Sequence, residues 1–137
     1  MAKDTFHEQV KRGLEKEGWA VTDDPLFLKW GNTTTYIDLG AEKLLMATKE
    51  EKKIAVEIKT FSDISPMFAF HVAVGQFVNY KVMLEKLEPD RRLYLAVPDV
   101  IYETLFRSEF AQAVIAKQEI SLIIYNPEEE IIEQWLP

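Results

Sequence analysis

The sequence predicts an α/β domain with a central mixed β-sheet flanked by helices. Three observations favour this fold class: strand-like segments cluster between residues 19 and 59, strands and helices alternate after that, and two later strands are strongly apolar. This order of elements is typical of a sheet that is covered on both faces by helices. The chain has 137 residues and no linker-like tract, so we expect one domain over 1–137 with a single packed core.

The first element is predicted as an amphipathic helix over residues 4–17. Apolar residues recur there at four-residue spacing, which places them on one face of the helix: Phe6, Val10 and Leu14. Thr5 and Glu8 fit a capping box at its start, and Gly18 fits a C-terminal stop.

Short strands are predicted after this helix. Residues 31–35 read as a loop or a turn, residues 42–49 are ambiguous between strand and helix, and the KEEKK segment reads as a charged turn. Period-two alternation predicts that Tyr36 and Asp38 share one strand face. The four strand candidates are residues 19–22, 26–30, 35–41 and 53–59.

The second half of the sequence predicts longer helices and strands. A helix over residues 64–86 is apolar nearly all round, so we expect it to be buried, and Gly75 within it suggests close backbone packing. The remaining segments are a strand at 91–98, one or two helical pieces within 99–117, a strand at 120–126 and an amphipathic tail after Asn126 and Pro127.

Composition limits the classes of function. The net charge of −7 argues against a surface that binds nucleic acid all over, because phosphate neutralisation needs clustered cations. A local basic patch stays open, built from Lys49, Lys52, Lys53, Lys59 and the Arg91-Arg92 pair. The chain has no cysteine, which excludes disulfides and thiolate metal sites. No apolar segment is long enough to cross a membrane, so we expect a soluble cytoplasmic protein.

The segment IAVEIK at 54–59 carries two charged residues in an apolar strand. Glu57 and Lys59 are two positions apart and therefore share a face. One interpretation is a salt bridge on the solvated face of an edge hairpin. The other is a catalytic site: a hairpin can bring Asp38 beside Glu57, and two carboxylates suit a hard cation such as Mg²⁺. Lys59 would then orient the attacking water or stabilise charge on a phosphate.

The segments YIDLG and VEIK resemble the D…ExK motif of the PD-(D/E)xK nuclease superfamily, although Ile37 stands where the superfamily name has Pro. The resemblance implies a restriction-endonuclease-like fold in which Asp38 and Glu57 bind Mg²⁺ or Mn²⁺ and Lys59 assists catalysis. It also implies a further acidic ligand on the first helix, matched by Glu8. Gln76 and Tyr80 match the Q-x-x-x-Y pattern of the RecB-like branch, which implies contacts near the metal or with DNA.

Almost the whole chain is similar to the XisH family, block by block, in segments such as DPLFLKWG, KIAVEIKTF and EPDRRLYLAVPD. That family is named for controlling excision of the fdxN element in cyanobacteria. The resemblance implies a DNA-related role beside a site-specific recombinase and an XisI-like companion protein. Two functions follow as hypotheses: a Mg²⁺-dependent DNA endonuclease, or a non-catalytic partner that keeps the nuclease fold for binding. A homodimer is compatible with either.

Several of these residues have simpler interpretations. Glu8 can close the capping box, and Tyr80 can be a core aromatic residue. Gln76 needs a hydrogen-bond partner, since it lies in an otherwise apolar helix. His7 and His71 read as surface or satisfied histidines, because no second His or Cys completes a transition-metal set. Asp23 and Asp24 read as turn residues.

Overall fold

A six-stranded mixed sheet forms the centre of the protein, with strands in the order β1-β4-β5-β6-β7-β8. The computed structural model describes residues 5–47, 50–62 and 65–137. The eight strands are β1 (Ala20–Asp23), β2 (Leu26–Trp30), β3 (Thr33–Ile37), β4 (Leu39–Leu45), β5 (Glu50–Ile58), β6 (Arg91–Pro98), β7 (Leu122–Asn126) and β8 (Ile131–Leu136). The helices are α1 (His7–Lys16), α2 (Pro66–Leu87), α3 (Asp99–Ile101), which continues into a π-helical turn (Tyr102–Phe106), and α4 (Glu109–Gln118).

The middle of this sheet is parallel and both of its edges are antiparallel. Strands β5, β6 and β7 run parallel, and crossover helices connect them: α2 joins β5 to β6, and α3 with α4 joins β6 to β7. Strands β1 and β4 on one side and β8 on the other run antiparallel to their neighbours. The predicted fold class, a mixed sheet flanked by helices, is therefore confirmed.

Alternating residues of β5 and β6 enter two separate apolar layers, because successive side chains of a strand point to opposite faces. Ile54, Val56 and Ile58 pack on the face covered by α1, with Val10 and Leu14 of that helix. The opposite face packs against α2 and α4. Glu57 alternates with the α1-facing residues and so lies on the α2 side of the sheet.

The segment after β1 departs from the predicted pattern. Residues 31–35 were expected to form a loop, but Thr33 already begins β3, which pairs with β2 in a separate two-stranded sheet. The predicted single strand 35–41 is broken at Asp38: β3 ends at Ile37 and β4 begins at Leu39. Tyr36 is exposed whereas Asp38 is buried, so the expectation that they share one face is wrong. The alternation of apolar residues continues through Asp38 in the sequence because Ile37 and Leu39 are both buried. The two residues nevertheless belong to different sheets.

Three other expectations need correction. The charged segment predicted as a turn belongs to β5, which starts at Glu50; Lys49 lies outside the described residues. The amphipathic tail is an edge strand, β8. Helix α1 begins at His7 with Phe6 as N-cap and no side-chain capping bond, so the Thr5–Glu8 capping box is wrong. Gly18 does end this helix, with φ of +92°.

Arg91, named above as a candidate for a local basic patch, is buried at the start of β6. Its guanidinium donates to the backbone oxygen of Ile54 at 2.9 Å and to Glu88. Because Lys53 pairs with Arg91 in register and Glu57 pairs with Leu95, this residue lies at the opposite end of the sheet from Glu57. Arg91 is thus a structural residue and does not serve as a phosphate contact beside the Asp38–Glu57 pair.

Among the described helices, none has both the length and the apolar character needed to cross a bilayer.

Gly40 of β4 provides a test of the packing at this junction. A Cβ at Gly40 would lie 3.0 Å from Asp23 Oδ2 and 3.2 Å from Arg91 Nη1, and Arg91 is held by its bond to Ile54. We expect Gly40→Ala to lower the free energy of unfolding by about 1–2 kcal/mol, because the surroundings cannot relax fully. Urea unfolding measures this value.

The matched control is Gly75→Ala, since a Cβ at Gly75 would meet no atom within 4 Å. Removing a glycine from a helix interior is expected to leave stability unchanged or to raise it by up to about 1 kcal/mol. Equal unfolding free energies for wild type and Gly40→Ala would contradict the packing argument.

Candidate active site at the end of the central strands

The structure brings Asp38 and Glu57 together at one end of the central sheet. Leu39 pairs with Val56 across β4 and β5, so the residue before Leu39 lies opposite the residue after Val56. Asp38 is 7% exposed and Glu57 is 6% exposed. Of the 18 residues between them, those of β4 and β5 pair antiparallel, as the catalytic interpretation of the sequence required.

Each carboxylate accepts a backbone hydrogen bond from the other's strand region. The N–H of Ile58 donates to Asp38 Oδ2 at 2.8 Å, and the N–H of Asp38 donates to Glu57 Oε1 at 3.3 Å. These two bonds fix the orientation of both side chains. They also leave one oxygen of each carboxylate, Asp38 Oδ1 and Glu57 Oε2, for other partners.

Lys59 lies just beyond the end of β5 and faces Glu57. Its Nζ is 3.4 Å from Glu57 Oε2, and 23% of its side chain is exposed. The backbone N–H of Lys59 donates to the oxygen of Ala96, and its backbone oxygen accepts the Tyr125 hydroxyl. The ammonium group is therefore carried on a rigid backbone and stays within reach of solvent.

One interpretation of the sequence placed Glu57 and Lys59 as a salt bridge on the solvated face of an edge hairpin. That location is wrong. The two side chains are in contact, but β5 lies between β4 and β6 in the interior of the sheet. The Glu57 carboxylate is buried, and a buried charge is unfavourable unless it is paired or binds a cation.

Burial raises the pKa of Glu57 to about 8, and the negative charge of Asp38 acts in the same direction. Lys59 opposes both effects through its positive charge. At neutral pH the Glu57 carboxyl therefore retains a proton unless a further cation enters. A positive charge placed near Glu57 would favour its ionised form.

Tyr80 and Gln76 of α2 lie on the same side of the sheet as Glu57. Burial raises the pKa of Tyr80, and the charges of Glu57 and Asp38 add to this effect, while a hydrogen bond with Thr35 opposes it. Gln76 Oε1 is buried and has no hydrogen-bond partner within the described residues. The four-residue spacing thus places a phenol near the carboxylates and, beside it, an amide oxygen whose expected partner is missing.

Glu8 does not join this pair directly. It is exposed in the first turn of α1, where its ligand atom lies within 4.8 Å of those of His7 and Asp24. In the described part of the chain, that trio is the one group of three metal-ligating side chains so close together, and neither Asp38 nor Glu57 belongs to it. The role of Glu8 as a metal ligand stays a prediction.

Sequence reasoning missed His7 and Asp24. His7 is 3% exposed and is not a surface residue. Its Nε2 lies 2.6 Å from Asp24 Oδ1, while its buried Nδ1 has no partner among the described residues. Burial acts to raise the pKa of Asp24, but hydrogen bonds from Lys11 and His7 hold it below its ordinary value. The available signal was the position of His7, one residue after Phe6 on the apolar side of the predicted helix.

Asp24 follows β1 directly, and β1 pairs with β4 through Asp23 and Gly40. Asp24 therefore leaves the sheet at the same end as Asp38. The interpretation of Asp24 as a turn residue did not include its contact with His7. That contact depends on the pairing of β1 with β4, which begins 16 residues after β1 ends.

Comparison with known proteins assigns the family. The fold and site define a mixed α/β protein with a buried carboxylate pair and a lysine at one end of its central strands. The family model described as XisH protein matches residues 1–133, and the chain belongs to the XisH family. No curated protein sequence matches it.

Two crystal structures share the fold. An XisH family protein from Nostoc punctiforme PCC 73102 is 41% identical, with a TM-score of 0.89, over 98% of this chain and 100% of that one. An fdxN element excision controlling factor protein from Anabaena variabilis is 42% identical, with a TM-score of 0.90 and the same coverage.

The raised pKa of Glu57 predicts how stability depends on pH in the presence of a chelator. The unfolded carboxyl ionises near 4.5, whereas the folded one keeps its proton up to about 8. The folded state binds more protons between these values, so its stability falls as pH rises through this window. We expect the Tm to fall by a few °C between about pH 5 and about pH 8, as measured by circular dichroism.

Glu57→Gln removes this titration and should flatten the dependence. Glu103→Gln is the control, since that carboxylate is exposed and pairs with Arg107 on the surface. If the profile of Glu57→Gln followed that of wild type, Glu57 would not be the group responsible.

Proposed function

We propose that this protein is a divalent-metal-dependent DNA endonuclease that acts in the excision of a DNA element. The observation that carries this proposal is the buried Asp38–Glu57 pair with Lys59 at its rim. The similarity to an excision controlling factor from Anabaena variabilis supports DNA as the substrate.

The donor set fits a hard cation. Asp38 Oδ1 and Glu57 Oε2 are carboxylate oxygens, which Mg²⁺ and Mn²⁺ prefer. The protonation that burial and Asp38 impose on Glu57 would be relieved by a divalent ion between the carboxylates. A bound ion would supply a water of lowered pKa and would neutralise charge on the phosphate.

The residues of the chain then have distinct tasks. Asp38 and Glu57 would hold the ion, since their other oxygens are fixed by backbone N–H groups. Lys59 would release its contact with Glu57 and donate a hydrogen bond to the attacking water or to a phosphate oxygen. Gln76 Oε1, which lacks a partner among the described residues, would accept a hydrogen bond from that water. Tyr80 would orient the substrate.

The sequence segments beside the site carry less negative charge than the rest of this acidic chain. Residues 25–37, which lead into Asp38, contain Lys29 and no acidic residue, and residues 65–84 contain Lys81 and no acidic residue. The 23 acidic residues of the chain are thus excluded from two segments beside the site. This local charge distribution reduces the repulsion that a phosphate backbone would meet on approach.

A second function is favoured by the β2–β3 hairpin. Phe27 and Tyr36 form an exposed aromatic pair with ring centroids 5.3 Å apart, and Trp30 on the same hairpin is also exposed. Exposed aromatic residues are typical of protein interfaces. The hairpin would suit a non-catalytic role in which the chain docks an XisI-like companion or the site-specific recombinase.

Cleavage assays test the first function. Purified protein is incubated with supercoiled plasmid and with branched DNA, in Mg²⁺, in Mn²⁺ and in chelator. We expect metal-dependent cleavage that falls by about 10²-fold or more in Asp38→Asn, Glu57→Gln and Lys59→Met. Glu103→Gln, a surface carboxylate, should retain the wild-type rate. Undiminished cleavage in all three site variants would contradict the assignment.

A binding measurement separates metal binding from catalysis. Mn²⁺ should raise the Tm of wild type and of Lys59→Met, because both carboxylates remain. The same concentration of Mn²⁺ should leave the Tm of Asp38→Asn unchanged. If the protein binds Mn²⁺ but cuts no DNA, and Phe27→Ser together with Trp30→Ser abolishes capture of a purified companion or recombinase, the docking function replaces the catalytic one.

A further inference from the structure

Helix α2 presents an apolar face that the described residues of the chain leave exposed. Of the 12 exposed large hydrophobic residues in the described part of the protein, five belong to α2: Met67, Phe68, Val72, Val82 and Leu87. The sequence predicted a buried helix from its all-round apolar pattern, and that expectation is wrong for one side. The opposite side packs into the core through Ala69, Phe70, Ala73, Phe77 and Leu84.

The uncovered residues follow a single helical stripe. Phe68, Val72, Gly75, Asn79 and Val82 recur at spacings of four, three, four and three residues, which is the period of one helix face. All five are exposed. We call this stripe the outer face of α2.

Gly75 lies at the centre of the outer face. A Cβ placed there would meet no atom of the described residues within 4 Å, so the close backbone packing expected at Gly75 is not made within this part of the chain. A glycine in a helix interior lowers helix stability, and no contact inside the chain requires it. The absence of a side chain at this position instead allows the backbone of another helix to approach closely.

The distribution of charge indicates which molecule supplies that other helix. The chain has a net charge of −7, so two copies repel each other least when they meet through an uncharged surface. Residues 65–80 contain no Asp, Glu, Lys or Arg, and the outer face from Phe68 to Val82 is free of charged residues. A nucleic acid, by contrast, would need clustered cations on this face.

The stripe is also symmetric about its glycine. Phe68 precedes Gly75 by seven residues and Val82 follows it by seven, which is about two helical turns in each direction. In an antiparallel crossing centred on Gly75, Phe68 of one copy therefore faces Val82 of the other. A two-fold axis requires such a self-complementary patch.

We propose that the outer face of α2 is the contact surface of a homodimer, in which two α2 helices cross antiparallel at Gly75. Gln76 and Tyr80 lie on the same helix, so the two carboxylate sites would flank the contact. The proposal rests on the outer face alone and does not depend on nuclease activity.

The first test measures association directly. Sedimentation equilibrium of the wild type should show a monomer–dimer equilibrium, because a helix pair buries less area than the roughly 800 Å² per partner of a standard interface. Val72→Glu should raise the dimer dissociation constant at least tenfold. Gly75→Leu should do the same while its Tm at low concentration is not lowered, since the position is open within one chain. Val100→Glu, an exposed apolar residue outside α2, is the matched control.

Cysteine variants test the geometry, since the chain contains no cysteine. Under mild oxidation Gly75→Cys should form a disulfide-linked dimer, because the two Cβ atoms would lie close to the axis. Phe68→Cys and Val82→Cys should each stay unlinked alone and become linked when they are mixed. Val100→Cys should remain a monomer.

A wild type that is monomeric at about 100 µM would overturn the proposal. So would a dimer that Val72→Glu and Gly75→Leu leave unchanged, because its interface would then lie elsewhere. A monomer that binds a purified companion protein through the outer face would also overturn it, since the occupant would then be a different chain.

Discussion

The hydrogen bond from the Ile58 N–H to the Asp38 carboxylate, 2.8 Å long, ties the end of β5 to the bend between β3 and β4. Without a partner, the Ile58 N–H at a buried position would be unsatisfied, and so would Asp38 Oδ2. The return bond from the Asp38 N–H to Glu57 completes a closed pair. The bend at Asp38 in turn sets where the β2–β3 hairpin leaves the main sheet, so one polar contact orients two sheets and two acidic side chains.

The burial of Glu57 beside Asp38 has an electrostatic cost that apolar packing at this position would avoid. Replacing Glu57 with an apolar residue of similar volume would remove a buried ionisable group whose pKa is raised to about 8. The structure instead adds a second carboxylate beside it and then a lysine at 3.4 Å. Lys59 is thus the cation that contacts Glu57 in the described part of the chain, while the negative charge of Asp38 acts against the ionisation of Glu57. Buried ionisable groups with shifted pKa values of this kind concentrate at functional sites.

Much of the fold could be predicted because local patterns and tertiary structure agree in its central part. β6 is apolar from Leu93 onward and is buried there as predicted, and the D…ExK spacing placed Asp38 beside Glu57. The errors occurred where the pattern of residues continues across a change of structure. Ile37 and Leu39 are both buried, but in different sheets, so no alternation could reveal the bend between them. The contact of His7 with Asp24 depends on strand pairing, which propensity and periodicity do not encode.

Helix α2 shows why an apolar pattern has to be compared with what surrounds it. A helix that is apolar all round predicts burial on every side, and in this chain the sheet and α4 cover only one. Its polar residues divide accordingly: Tyr80 lies near the carboxylates, and Gln76 is one helical turn from it with a buried Oε1. Gly75 and Asn79 lie on the uncovered side. The helix therefore borders the Asp38–Glu57 pair on one side and an uncharged surface on the other. A partner bound to that surface would be one helix diameter, about 10 Å, from the site, close enough for its binding to affect how Gln76 and Tyr80 are held.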